Sequence, residues 1–246
     1  MTVEYRGTAF AGWARQRGQR TVQAELERAL TTILRREWVT LTVAGRTDAG
    51  VHACRQVASY EGDPVAPGAL NAVLPDDVAV IACDAAPAGF SARHDATSRA
   101  YRYRLLTRAA RSAHDPGGAL HWPYPLDRAA LDACAALLPG RHDFTAFTPT
   151  ETSHVRFTRD VIAARWTTPD ADHLEFWIEA DTFMRHMNRV LVGTMLEVGS
   201  GRRSLAAFAA LLAGAPRAQA GPTAPAHGLY LAAVGYEGER ILDPVP

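Results

Sequence analysis

Lysine is absent from this sequence: all 26 basic residues are arginine, and 26 acidic residues bring the formal net charge to zero. That balance gives no overall sign of a nucleic-acid partner, although arginine is the better side chain for gripping phosphate and stacking on bases. Long apolar runs are also missing. None approaches the roughly 18 residues of a membrane span, and the opening MTVEYRGTAF lacks the basic-then-apolar order of a signal peptide. A cytoplasmic protein is therefore expected. Cysteine is scarce, with Cys54, Cys83 and Cys134 far apart and in no Cys-x-x-Cys or Cys/His cluster, which excludes a disulfide framework and a zinc site. Buried thiols are expected instead. A Gly-Lys-Ser/Thr phosphate loop is missing too, as is any low-complexity linker.

What remains is an ordinary globular composition, 48% hydrophobic and 21% charged over 246 residues, enough for one large domain or two small ones. Residues 2–5 read as a strand, followed by a loop rich in Gly, Arg and Gln. Thr21 then caps a helix whose Val22, Leu26, Ala29, Leu30, Ile33 and Leu34 share a face. Strands are expected at 38–43, 56–60 and 78–83, with a short helix at 67–74. A second series follows: a strand at 99–107, a loop at 111–125, and a helix at 126–138 begun by Asp127 and ended by Pro139-Gly140. A strand pair at 161–166 and 174–180 turns at Pro169-Asp170. Helices at 184–198 and 205–212 and a closing strand at 228–236 complete the series. The order predicts an α+β fold of two similar halves, each an antiparallel sheet with helices on one face, divided near residues 92–98 into 1–95 and 96–246.

Three stretches carry chemistry. LTVAGRTDAGVHA, residues 41–53, runs from a strand into a loop bracketed by Gly45 and Gly50, where a ligand can come close. Arg46 and Asp48 are placed to face the same way, so the arginine would keep the carboxylate ionised for use as nucleophile or base. Asp-x-Gly is also common turn punctuation, and an Arg–Asp pair is common on surfaces. In the second stretch, residues 90–105, Tyr101 and Tyr103 alternate with Arg102 and Arg104, giving one aromatic and one basic strand face. That suits base stacking with phosphate contacts, or ordinary cross-strand packing. Arg93, Arg99, Arg108 and Arg111 extend this group, and Arg15, Arg17 and Arg20 form another. In the third, residues 181–199, Met184, Met187, Val190, Leu191 and Met195 line one helical face as core. Arg185 at that helix start opposes the dipole and calls for a carboxylate or phosphate, while His186 fits a structural role.

The ten residues AGRTDAGVHA resemble the signature of the tRNA pseudouridine synthases that act on the anticodon arm. FSARHDATSRAYRYRL at 90–105, Arg185-His186-Met187, Val3–Gly7 with Gly12-Trp13, and Gly228–Leu231 extend the resemblance over nearly the whole chain. Arg6 and Ala14 stand where that family has aspartate and glutamine, the opening strand is a few residues short, and residues 150–160 align poorly and take no role. The resemblance implies the pseudouridine synthase fold, with an active-site cleft between the two subdomains. It implies isomerisation of uridine to pseudouridine at positions 38–40 of the anticodon stem-loop. Asp48 would be the essential carboxylate, as nucleophile or base, and Arg46 would open the stem and fill the vacated space. Tyr101 would stack on the uracil, Arg185 would hold Asp48 ionised, and Leu229 would line the pocket. No cofactor, no metal and no membrane are implied; tRNA is the partner and a homodimer the expected assembly. Two other readings stay open: a non-catalytic RNA-binding module, and a hydrolase using Asp48, for which no second carboxylate or metal stands out.

Overall fold

The first helix shows how locally these elements are determined. In the computed structural model, which describes residues 1–152 and 155–242, Thr21 accepts a hydrogen bond from the Ala24 amide at 3.4 Å and begins α1, Val22–Leu34. Val22, Leu26, Ala29 and Leu30 are fully buried, while Ile33 and Leu34 lie at the fraying edge of the same face. Arg35 ends the helix in the left-handed conformation, at φ 52°.

The chain forms two compact units. The first holds residues Met1–Thr97 and Tyr230–Glu239. Its strands are β1 (Thr2–Tyr5), β2 (Thr42–Val43), β3 (His52–Ser59) and β4 (Val78–Ala82). The helix α2 (Pro67–Asn71) packs on β4 and α1. Strand β1 lies between β3 and β4, antiparallel to both, and β2 pairs with β3. The second unit runs from Ser98 to Leu229 and takes up the chain again from Arg240. Here β5 (Ala96–Leu106), β6 (Leu120–His121), β7 (Gly140–Asp143), β8 (Thr158–Asp170) and β9 (His173–Ala180) accompany α3 (Arg128–Ala136), α4 (Met187–Gly199) and α5 (Leu205–Leu211). The order β5-β9-β8-β7 is antiparallel throughout. The last strand, β10 (Leu229–Tyr236), rejoins the first unit, where Tyr230 and Leu231 lie parallel to His52 and Ala53 of β3. The fold is α+β, built on mostly antiparallel sheet.

Several elements differ from expectation for identifiable reasons. The strand expected at 38–43 shrinks to β2, because Trp38 is 70% exposed and the Leu41 amide donates to the Glu27 carboxylate at 3.1 Å instead of to a ladder. The hairpin turns at Ala171-Asp172, with Asp170 accepting from the Asp172 and His173 amides, so Pro169 stays within β8. Strand β7, GRHD, has no apolar alternation to announce it, yet it pairs residue by residue with β8. Helix α4 begins at Met187, three residues later than the periodicity suggests, because His186 takes φ 63°. The five expected core residues at 184–195 are all at most 4% exposed. Of the cysteines only Cys134 is buried; Cys54 and Cys83 are half-buried.

Two crowded places hold the second unit in shape. Residues 221–224 cross α4 at Gly193, where a Cβ would stand 1.9 Å from the Pro222 carbonyl oxygen. The crossing is fastened by the Gly221 amide on Thr194 Oγ1 (3.0 Å) and the Ala224 amide on the Arg189 carbonyl (3.0 Å). Glu179 on β9 is fully buried and accepts from Ser98 Oγ (2.5 Å) and from the amides of Ile241 (3.0 Å) and Leu242 (2.8 Å). Alanine normally improves a helix by up to about 1 kcal/mol over glycine. Here overpacking of about 1–3 kcal/mol reverses the sign, so Gly193→Ala lowers the melting temperature by about 2–8 °C in a thermal scan. Glu179→Ala strands three donors at about 1–3 kcal/mol each. The same scan will therefore show a larger fall than for Gly193→Ala.

Candidate active site

The stretch between β2 and β3 has no regular structure, yet nearly every residue of it is tied down. The Ala44 amide continues the ladder to the Val57 carbonyl at 2.9 Å. The Gly45 carbonyl accepts from Gln56 Nε2 at 2.7 Å, and Thr47 Oγ1 shares a 2.8 Å hydrogen bond with the Tyr5 hydroxyl. The Thr47 carbonyl accepts from the Trp13 amide at 3.0 Å, and the Gly50 amide donates to the Phe10 carbonyl at 3.3 Å. A turn closes from the Val51 amide to the Asp48 carbonyl, with Gly50 at φ 79°, a conformation that disfavours any side chain.

The segment from Gly7 to Trp13 presses on this loop from the other side. A Cβ on Gly7 would stand 1.9 Å from the Val51 carbonyl oxygen, and one on Gly12 would stand 2.9 Å from that of Thr47. Gly12 also takes φ 105°, so both glycines are required for the approach. The Gly7 amide donates to His52 Nδ1 at 3.2 Å, and the His52 ring stacks on Tyr230 at 4.5 Å. Trp13, 1% exposed, packs its ring 5.8 Å from that of Tyr5. The result is a fixed backbone presenting a half-buried Asp48. Arg46 is exposed and forms no hydrogen bond or ion pair among the described residues, so the expected Arg46–Asp48 pair is not made. An exposed pair contributes only about 0–1 kcal/mol, too little to order a long side chain.

In the second unit, Tyr101 on β5 is 7% exposed, and its ring meets Phe183 edge-on at 4.9 Å. Phe183 belongs to the turn that also carries Arg185, so aromatic packing joins Tyr101 to that turn. Arg185 precedes α4 instead of lying in its first turn. Its carbonyl accepts from Thr148 Oγ1 at 3.2 Å and its exposed guanidinium donates to the Glu151 carbonyl at 3.2 Å. The left-handed His186 next to it costs about 1–3 kcal/mol of backbone strain. It is held by the Val190 amide on its carbonyl and the Met187 amide on that of Met184. Leu229 is 6% exposed at the start of β10, directly after Gly228, whose hydrogen allows the Tyr103 ring to approach to 2.6 Å of where a Cβ would stand. Tyr103 is buried, donates to the Pro225 carbonyl at 2.8 Å, and has its phenol pushed well up by burial; it is a packing residue.

The arginine stripes are largely taken up by acids. Glu175 on β9 accepts from Arg104 (3.1 Å) and faces Arg102 (3.4 Å), whose guanidinium also lies 5.4 Å from the centre of the Trp177 ring. Arg108 pairs with Asp172, Arg15 with Glu27, and Arg20 with both Asp77 and Glu25. The Arg20 guanidinium holds the Asp77 carboxyl below its usual range. The basic face of β5 is thus a cross-strand ion network, while Arg17 and Arg111 remain exposed without an ion pair among the described residues. No three His, Cys, Asp or Glu side chains among the described residues are grouped to hold a metal ion.

The structure therefore sets Arg46 and Asp48 on one loop of the first unit and Tyr101, Arg185 and Leu229 in the second. Tyr5, Gly7, Thr47, Gln56 and Phe183 were not singled out from their residue types. Tyr5, Gly7 and Thr47 fall within the stretches that carry the family resemblance, Val3–Gly7 and AGRTDAGVHA, whereas Gln56 and Phe183 left no such signal.

The family described as tRNA pseudouridine synthase matches residues 134–237, which include Arg185 and Leu229. Proteins called tRNA pseudouridine synthase A match far more of the chain. That of Bacillus pumilus is 39% identical over 243 residues, covering 96% of this chain and 98% of its own. That of Geobacillus kaustophilus is 41% identical over 246 residues, covering 98% and 95%. That of Thermus thermophilus is 42% identical over 250 residues, covering 98% and 97%. With nearly full-length identity well above 30% to several such proteins, the chain belongs to the tRNA pseudouridine synthase family.

Proposed function

We propose that this chain converts uridine to pseudouridine at positions 38–40 of the tRNA anticodon stem-loop, with Asp48 as the essential carboxylate. The observation that carries the reading is the loop itself. A carboxylate on a backbone fixed from both sides is organised in advance for attack or proton abstraction, and loses little freedom when substrate arrives. In the reaction the bond from ribose C1′ to uracil N1 breaks, a bond from C1′ to C5 forms, the C5 proton passes to water and N1 gains a proton. No electrons are exchanged, so the balance closes without an oxidant or reductant.

A uridine in a stem must first leave its stack, at a cost of a few kcal/mol. The Arg46 side chain, exposed and without an ion pair among the described residues, is suited to enter the stem in its place. Tyr101 stacks on the flipped uracil in this reading, Arg185 serves as the second catalytic arginine, and Leu229 lines the pocket. The protein works as a cytoplasmic homodimer. No helix among the described residues is long and apolar enough to cross a membrane, and sedimentation as a monomer at working concentration would count against the dimer.

The test uses unmodified tRNA labelled with tritium at uridine C5. Wild-type protein releases label to water, and Asp48→Asn lowers that release by more than about 10³-fold while tRNA affinity stays within about three-fold. Loss of release and affinity together assigns Asp48 a structural role. Free uracil or a broken strand would instead point to a hydrolase, and binding without release by wild type to an RNA-binding module.

A further inference from the structure

Beneath the Asp48 loop lies a chain of three polar side chains to which the reaction assigns no part. Tyr5 ends β1, Gln56 lies mid-way along β3, and Thr47 immediately precedes Asp48. All three are buried, with 5%, 0% and 8% of their surface exposed. Gln56 Nε2 has two hydrogens and uses both: one goes to the Gly45 carbonyl at 2.7 Å, the other to the Tyr5 oxygen at 3.4 Å. The Tyr5 hydroxyl in turn shares a 2.8 Å hydrogen bond with Thr47 Oγ1. Burial raises the Tyr5 phenol to about 12, so it keeps its proton throughout the range in which tRNA chemistry is run.

The chain links the sheet to the loop. Its two ends grip the loop at Gly45 and Thr47, on either side of Arg46 and next to Asp48. The sheet end is rigid: Tyr5 stands opposite Ala53 across the β1–β3 pair, at a register shift that follows Val3. A loop residue hung from a sheet by buried hydrogen bonds is held more closely than one held by solvent-exposed contacts, because each donor has no water to turn to.

We propose that Tyr5, Thr47 and Gln56 are positioning residues for Asp48, a hydrogen-bond chain that sets where the carboxylate stands relative to the reacting nucleotide. The proposal rests on the reading of Asp48 as the essential carboxylate. A displacement of the order of an ångström at a reacting group lowers the chemical step by about 10²-fold without changing how substrate binds. Loss of the chain therefore shows in kcat and not in KM.

Tritium release is measured under saturating and limiting tRNA for Tyr5→Phe, Thr47→Val, the double variant, Thr47→Ser and Asp48→Asn. Each of the first two removes only a hydroxyl or swaps it for a methyl, and melting curves verify that they are folded. The expected result is a kcat lowered about 10- to 100-fold in both, with KM and tRNA affinity within about three-fold. The double variant falls no further than the worse single one, since one break opens the chain, and Thr47→Ser restores activity to within about three-fold. A wild-type kcat in folded Tyr5→Phe and Thr47→Val, or additive losses with KM rising in step, overturns the proposal while leaving an inactive Asp48→Asn, and so the functional reading, in place. An active Asp48→Asn overturns both.

Discussion

A loop that must hold a carboxylate in one place has no helix or strand to satisfy its own backbone, and that constraint shapes much of the first unit. Buried amides and carbonyls need partners. Here the partners come from two separate stretches: the Phe10–Trp13 backbone and, on β3, the side chain of Gln56 with the neighbouring Val57 carbonyl. Close approach by the first of these demands glycine at 7 and 12, and the same segment runs on to the cap of α1 through the Val22 amide on the Gly12 carbonyl. The helix start, the Arg/Gln-rich loop and the site loop are therefore one mechanical piece.

Buried acids play a recurring part in this all-arginine protein. Glu27 gathers Arg15, Gln23 and the Leu41 amide; Glu175 gathers Arg104 and the Trp177 indole beside Arg102; Glu179 gathers a serine and two amides from the last described residues. A carboxylate with several donors stays soluble in the interior, whereas one left bare is costly. Each of these acids also ties segments far apart in sequence, so charge is used here for wiring as well as for surface.

Much of this was legible from residues alone where the determinant is local. Thr21 with its 3.6-residue apolar spacing gives α1, Asp127 gives the cap of α3, and the methionines of α4 fall in the core. The places that resisted are those where the determinant is distant. Nothing near Arg102 and Arg104 announces Glu175, seventy residues on, as their partner. Nothing in Met184–His186 announces a left-handed residue, since histidine adopts it only when the surrounding turn imposes it. For the site, the motif located Asp48 and Arg46 on their loop, but the supports beneath them, Tyr5 and Gln56, are connected to it only through the pairing of β1 and β3.

The return of the last strand to the first unit also bears on the order in which the protein can be completed. His52, at the exit of the site loop, is paired with Tyr230. After His52 the ribosome must add 178 residues to reach Tyr230, which at about 5–20 residues per second takes roughly 9 to 36 s. Throughout that interval the emerging first unit has β3 paired at most with β1 and β2, without β10, and the imidazole of His52 without the ring that covers it. The exit of the site loop thus acquires its parallel partner only after residue 230 has been made, and a nascent chain stalled short of it carries the carboxylate without the Tyr230 ring over His52.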